Sequence, residues 1–113
     1  MSSNKKDQKE IIGEVARLTS LVEYQDGSVV SRTLSERPTG TITLFAFDAG
    51  QGLSEHTAPY DALVQIVAGK AEITISGRPL TARQGDIVIM PAGEPHSLRA
   101  LERFKMLLIM IRA

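Results

Sequence analysis

From Ser28 to the end, the chain is written in short apolar runs divided by Gly and Pro turn signals. The runs are Ser28 to Leu34, Thr41 to Phe47, Ala62 to Val67, Ala71 to Ser76, Ile87 to Met90, His96 to Leu101 and Phe104 to Ile111. Each is rich in β-branched or aromatic residues, the composition that suits a pleated, half-buried surface. Between them fall Pro38-Thr39-Gly40, Gly50-Gln51-Gly52, Ala68-Gly69, Gly77-Arg78-Pro79, Gly85-Asp86 and Pro91-Ala92-Gly93. Ala71 to Ser76 alternates apolar and polar, which predicts a strand with one wet face. Ile87 to Met90 and Met106 to Ile111 do not alternate, which predicts strands covered on both faces. Many short strands with almost no helical period predict an all-β sandwich or barrel.

The N-terminal quarter is written differently. Residues 1–10 (MSSNKKDQKE) offer almost nothing to bury and are expected to form a flexible tail. Ile11, Val15, Leu18 and Val22 follow helical spacing, but Gly13 and Thr19-Ser20 interrupt it. The expectation is a short strand near Ile12 to Arg17, then one helical turn near Ser20 to Val22. Residues 11–113 then make a single domain, since 113 residues leave no room for a second sizeable core.

Composition narrows the chemistry. Thirteen basic and thirteen acidic residues cancel, which argues against nucleic-acid and membrane-surface binding, because both need a basic field. The absence of Cys excludes disulfides, thiolate metal sites and thiol catalysis. The polar N-terminus does not read as a signal peptide, and the longest apolar run is too short to cross a bilayer, so a cytoplasmic location is expected. Two side chains suited to metal binding or to acid–base work near neutrality stand out. They are the chain's two histidines, His56 and His96, forty positions apart. They meet only if the sheet folds back on itself.

The residues before His96 are distinctive. Gly85-Asp86-Ile87-Val88-Ile89-Met90-Pro91-Ala92-Gly93-Glu94-Pro95-His96 fits G-x5-P-x-G-x2-H at every fixed position. Gly85 permits a tight turn into a strand, and Pro91 and Gly93 shape the loop that aims His96. This stretch resembles the second motif of the cupin superfamily. The first cupin motif is matched in outline. Gly50 stands six before His56 and Gly69 closes the stretch, but the second His position is Ala58 and the carboxylate position is Ala62, with Asp61 one residue early. The family's further Asn position is Ala100. The resemblance runs from about Gly40 to Ile111 and implies a cupin double-stranded β-helix, a jelly-roll-like barrel with a short N-terminal extension. In that family two His and a Glu from the first motif and one His from the second converge on a divalent ion. Here two of the four positions carry methyl groups.

The resemblance thus implies a depleted metal site at His56 and His96, with zinc, nickel or iron held weakly. Truncation to Ala also opens space, so the barrel interior reads as an apolar pocket with a two-imidazole polar end. By register its walls are Ala58, Ala62, Val64 and Leu98, with Phe47, Tyr60 and Met90 beside them. The leading expectation is a small-molecule-binding barrel. The rival is a divalent-metal-dependent enzyme of dioxygenase or isomerase type, using His56 and His96 with an off-register acid. A third reading is a dimerising module without chemistry. If Met106, Leu108 and Met110 face the barrel, Leu107, Ile109 and Ile111 form an outward apolar stripe. Either the N-terminal segment or a second subunit must cover it, and the resemblance favours a homodimer.

Overall fold

The computed structural model describes residues 9–112. Nine strands follow one another among them: β1 (Val29–Arg37), β2 (Gly40–Phe47), β3 (Gly52–His56), β4 (Ala62–Ala68), β5 (Lys70–Ile75), β6 (Arg78–Arg83), β7 (Ile87–Met90), β8 (His96–Ala100) and β9 (Phe104–Ile111). They build a five-stranded sheet in the order β1-β2-β9-β4-β7 and a four-stranded sheet in the order β3-β8-β5-β6. Every strand pairing is antiparallel. The chain passes back and forth between the two sheets, which is the expected jelly-roll barrel.

The core lies between the sheets. Phe47, Val64, Ile66, Ile73, Phe104 and Met106 are almost fully buried there. Phe47 and Phe104 stack with ring centroids 4.3 Å apart. Burying each such side chain contributes about 1.5–3 kcal/mol. Gly69, between β4 and β5, has φ +84°, and a Cβ there would sit 1.9 Å from the Arg103 carbonyl oxygen. Only glycine lets the chain run this close to the start of β9.

Two strands were hidden in the sequence. β3 is polar and mostly exposed, and β6 carries Pro79. Both are the outer strands of the four-stranded sheet, where exposure and a missing N–H are tolerated. The expected alternation of β5 is present, with Ala71, Ile73 and Ile75 buried. The expected double covering of β7 is not: Ile87 is 59% and Ile89 58% exposed. β7 is an edge strand with only its inner face covered.

The expected strand over Ile12 to Arg17 is absent. Gly13 takes φ +74°, and Ile12 and Val15 point to solvent. The helical turn is a 3-10 turn at Leu18–Ser20, two residues early. This N-terminal segment lays Ile11, Leu18, Leu21 and Val22 over the outer face of the large sheet, against Leu34, Leu44, Ala46 and Leu107. Most of the expected tail lies outside the described residues. Of residues 9 and 10, Lys9 offers its carbonyl to Arg32, and Glu10 accepts from the Glu36 N–H and from Arg37. No helix among the described residues is long and apolar enough to cross a membrane.

A polar clasp holds the segment from Thr19 to Gly27. Arg103 donates to Asp48 at 2.8 Å and to Asp26 at 2.7 Å, and the Gly27 N–H donates to Asp48. Lys105, 7% exposed, donates to the Thr19 carbonyl at 2.7 Å. The Arg103 hydrogen bond, aided by the Gly27 N–H, holds the Asp48 carboxyl at about 2. A depressed carboxyl stabilises the fold above its unfolded value and loses that contribution as pH falls toward its folded value. Wild type is therefore expected to exceed Asp48→Ala in stability at neutral pH, with the gap closing between about pH 4 and pH 2. Chemical denaturation of both proteins across that range checks this, and a gap independent of pH would contradict it.

Candidate functional site

His96 opens β8, and the loop before it is tied down on several sides. The Gly93 N–H donates to the Ala58 carbonyl at 2.8 Å, with φ +79° at Gly93. The Ala92 N–H donates to Asp61 Oδ1 at 2.8 Å. The Ser76 N–H donates to the Pro95 carbonyl, and its hydroxyl donates to Glu94 Oε1. The loop therefore has little freedom, and His96 projects inward from a fixed frame.

His56 reaches the same place by a different device. Leu53 pairs with Leu98, and His56 with His96, so β3 carries one residue more than β8 over that interval. Strict alternation from the inward Leu53 would turn position 56 outward. The extra residue is a β-bulge that re-aims His56 toward the barrel. The two rings meet at a centroid distance of 4.4 Å, nearly perpendicular, with Nε2 to Nε2 at 3.1 Å. The forty-residue separation in sequence is closed.

The other ring nitrogens decide what this contact is. His56 Nδ1 lies 2.9 Å from the Ser54 carbonyl oxygen, and His96 Nδ1 lies 3.2 Å from that of Glu94. A carbonyl only accepts, so each Nδ1 carries the hydrogen. In the neutral rings both Nε2 atoms then present lone pairs, and these face each other. Two facing lone pairs repel, and an electron-pair acceptor placed between them removes the repulsion. Backbone carbonyls that fix the tautomer in this way are the usual support for an imidazole that binds through Nε2. His96 is 4% exposed, whereas His56 is exposed, so the pair opens to solvent on the His56 side. Burial, and after it the neighbouring His56, pushes the His96 pKa below its ordinary value, against the Glu94 carbonyl, which raises it. Both effects keep its lone pair available near neutral pH.

The imidazoles stand at a cavity of about 50 Å³ whose other walls are Leu53, Ala58, Ala62, Met90, Leu98, Met106, Leu108 and Met110. Of the pocket residues read from the sequence, Ala58, Ala62, Met90 and Leu98 are there. Three are elsewhere. Phe47 and Val64 face inward but belong to solid packing, Phe47 in its stack on Phe104. Tyr60 turns its ring toward Arg112, 5.8 Å away. Leu53 was missed because its strand was not recognised. Met106, Leu108 and Met110 had the right parity, but only the strand order shows that β9 runs beside β4, along the cavity.

Among the described residues no acid joins the imidazoles. Asp61 is spent on the Ala92 N–H, Glu94 on the Ser76 hydroxyl, and Glu55 is exposed. Among the described residues there is no cluster of three or more His, Asp, Glu or Cys able to hold a metal. The family's four-ligand centre therefore does not fit these residues: two donors are present, with methyl groups at Ala58 and Ala62.

Comparison with known proteins agrees with the architecture. The family model described as a cupin domain matches residues 43–112. A conserved protein of unknown function from Streptococcus pyogenes is 40% identical, with TM-score 0.85 and 89% of each chain covered. A cupin 2 conserved barrel domain protein from Leptotrichia buccalis is 37% identical, with TM-score 0.80 over 82% of this chain; the match spans 45% of that longer chain. A cupin superfamily protein from Desulfitobacterium hafniense is 27% identical, with TM-score 0.83 over 94% of this chain and 96% of the other. A search of curated proteins finds no match.

Proposed function

The chain belongs to the cupin family, as a small cupin-domain protein, and from that premise we propose that it is a binding barrel that takes a small ligand between His56 and His96. One observation carries the reading: two Nε2 atoms 3.1 Å apart, with both Nδ1 atoms committed to backbone carbonyls. The walls are apolar and the space is about 50 Å³, whereas sites for drug-sized molecules span about 300–1,000 Å³. The ligand is thus an ion or a molecule of a few heavy atoms. A divalent-metal enzyme of dioxygenase or isomerase type has less support, because a 2-His-1-carboxylate centre needs an acid and the nearby acids are engaged elsewhere or exposed. Thermal unfolding against a panel of transition-metal ions, azoles and small anions tests the reading. At a hundredfold excess over its Kd a bound ligand adds about 2.7 kcal/mol, a shift of about 10 °C in a domain this size. Absence of a shift with every member of the panel would count against it.

We propose further that the partner is a second copy of the chain. Ile42, Ile109, Leu63 and Ile89 stand in register across β2, β9, β4 and β7, on the outer face of the large sheet. Beside them Ile87 and Ile111 are 59% and 61% exposed. The N-terminal segment covers the half of this face around Leu44 and Leu107, with Ile42 at the margin of that cluster, and leaves Ile109, Leu63 and Ile89 outside it. A flat apolar patch of this kind suits an isologous contact. Ile89→Arg is expected to turn a dimer into a monomer in sedimentation velocity while the His site keeps its ligand. A sedimentation profile that does not change would speak against the contact.

A further inference from the structure

Every methionine of the chain except Met1 lines the cavity that holds the two imidazoles. Their positions are ordered. Ala62 pairs with Met110 on one side and with Met90 on the other, so one small residue stands between two long thioethers in a single row across β9, β4 and β7. Directly paired residues on one face lie within side-chain reach. The row is at the histidine end of the barrel. Residues 57–61 join His56 to Ala62, and residues 91–95 join Met90 to His96. Met106 pairs with Ile66, four positions deeper.

We infer that the ligand of this cavity is a soft monovalent metal ion, copper(I), held by His56 and His96 together with the thioethers of Met90 and Met110. The inference rests on the reading of the imidazole pair as a binding site and adds the identity of the ligand. Three properties of the donor set lead to it. With neutral imidazoles all four donors are uncharged, and among the described residues no carboxylate lines the cavity. The cost of bringing an ion into an apolar space rises with the square of its charge, so an uncompensated monovalent ion enters far more easily than a divalent one. Thioether sulfur is soft and selects copper(I) over zinc or iron(II), while imidazole accepts either. The two nitrogens are also set at a chelating distance. Ligands at about 2.0–2.1 Å from a tetrahedral ion stand about 3.3 Å apart, close to the 3.1 Å observed. Ordinary gap-filling explains a single methionine in a core. It does not explain why two of them flank Ala62 in one row at the histidine end of the barrel.

The test is an anaerobic titration of the full chain with copper(I) against a chromophoric copper(I) chelator, with zinc(II) in parallel. The expected result is one copper(I) per chain withheld from the chelator, and zinc bound weakly. Met90→Leu with Met110→Leu conserves volume and keeps the core filled. It is expected to lower copper(I) affinity on the order of 100-fold, the scale on which metal sites respond to lost supporting groups, with zinc binding unchanged. X-ray absorption of the copper-loaded wild type should show sulfur beside the metal, a readout independent of how the variant folds. Copper affinity untouched by the double replacement, or a metal neighbourhood without sulfur, would overturn the inference. So would failure to withhold copper from the chelator while another small ligand still raises the melting temperature through His96. In those cases the binding site itself stands. If neither copper nor any other ligand binds, both readings fall.

Discussion

With His96 replaced by alanine, the protein is expected to keep its barrel and lose its ligand. His96 is one of two nitrogens that converge on the site, and its partner alone offers a single exposed imidazole. Loss of one of two chelating donors is expected to reduce affinity by about 100-fold or more, at least as much as loss of a supporting group. The stability cost should be smaller, about 1–3 kcal/mol, for a buried ring whose Nδ1–H no longer meets the Glu94 carbonyl. His56→Ala separates the two effects. It removes the same kind of donor from an exposed position, so affinity should fall as far with little change in stability. Calorimetric titration and urea denaturation of both variants measure this. Ligand binding that survives in either variant would mean that the pair does not act together.

The second large effect lies outside the site. Gly69→Ala is expected to cost about 4 kcal/mol or more, which is exceptional for one methyl group. Its Cβ would meet the Arg103 carbonyl oxygen at 1.9 Å and Phe104 Cα at 2.7 Å, and all of these neighbours are backbone or a packed aromatic. Phe104 is 0% exposed and stacked on Phe47, so it cannot give way. The strained φ adds about 1–2 kcal/mol. Gly27 provides the control. It has φ +67° but nothing within 4 Å of an added Cβ, so Gly27→Ala carries only the strain. Urea midpoints of the two variants should therefore differ widely, and similar midpoints would show that the close approach at Gly69 is not rigid. A domain whose whole stability is about 5–15 kcal/mol has little margin for the larger loss.

How far the sequence could be read depended on what each residue had to satisfy. The stretch from Gly85 to His96 was legible because a tight turn, a strand and a rigid loop each demand particular residues, and the loop aims His96 as expected. β5 was legible because its two faces meet different surroundings. β3 and β6 were not, since sheet-edge strands need neither an apolar face nor every N–H. The isoleucines of β7 signal covering on both faces; within one chain the outer face carries the exposed row, the same row on which the proposed second copy would sit. The site was half legible. Histidines announce themselves by chemistry, and Ala58 and Ala62 by their places in the motif. The bulge that turns His56 inward leaves no mark in the sequence. Met90 and Met110 become neighbours of Ala62 only once β9, β4 and β7 are side by side, and a methionine in a core run reads as filler. Val64 shows the limit of parity, which gives the face of a strand but not the depth along the barrel.

The most direct measurement is the nitrogen-15 spectrum of the imidazoles, recorded on the full chain through long-range proton–nitrogen couplings. With two histidines in the chain, assignment is simple. Near neutral pH both Nδ1 atoms are expected to resonate as hydrogen-bearing nitrogens, and on addition of ligand both Nε2 signals are expected to move together. An Nδ1 without its hydrogen on either ring, or a ligand that shifts one Nε2 and leaves the other in place, would contradict this.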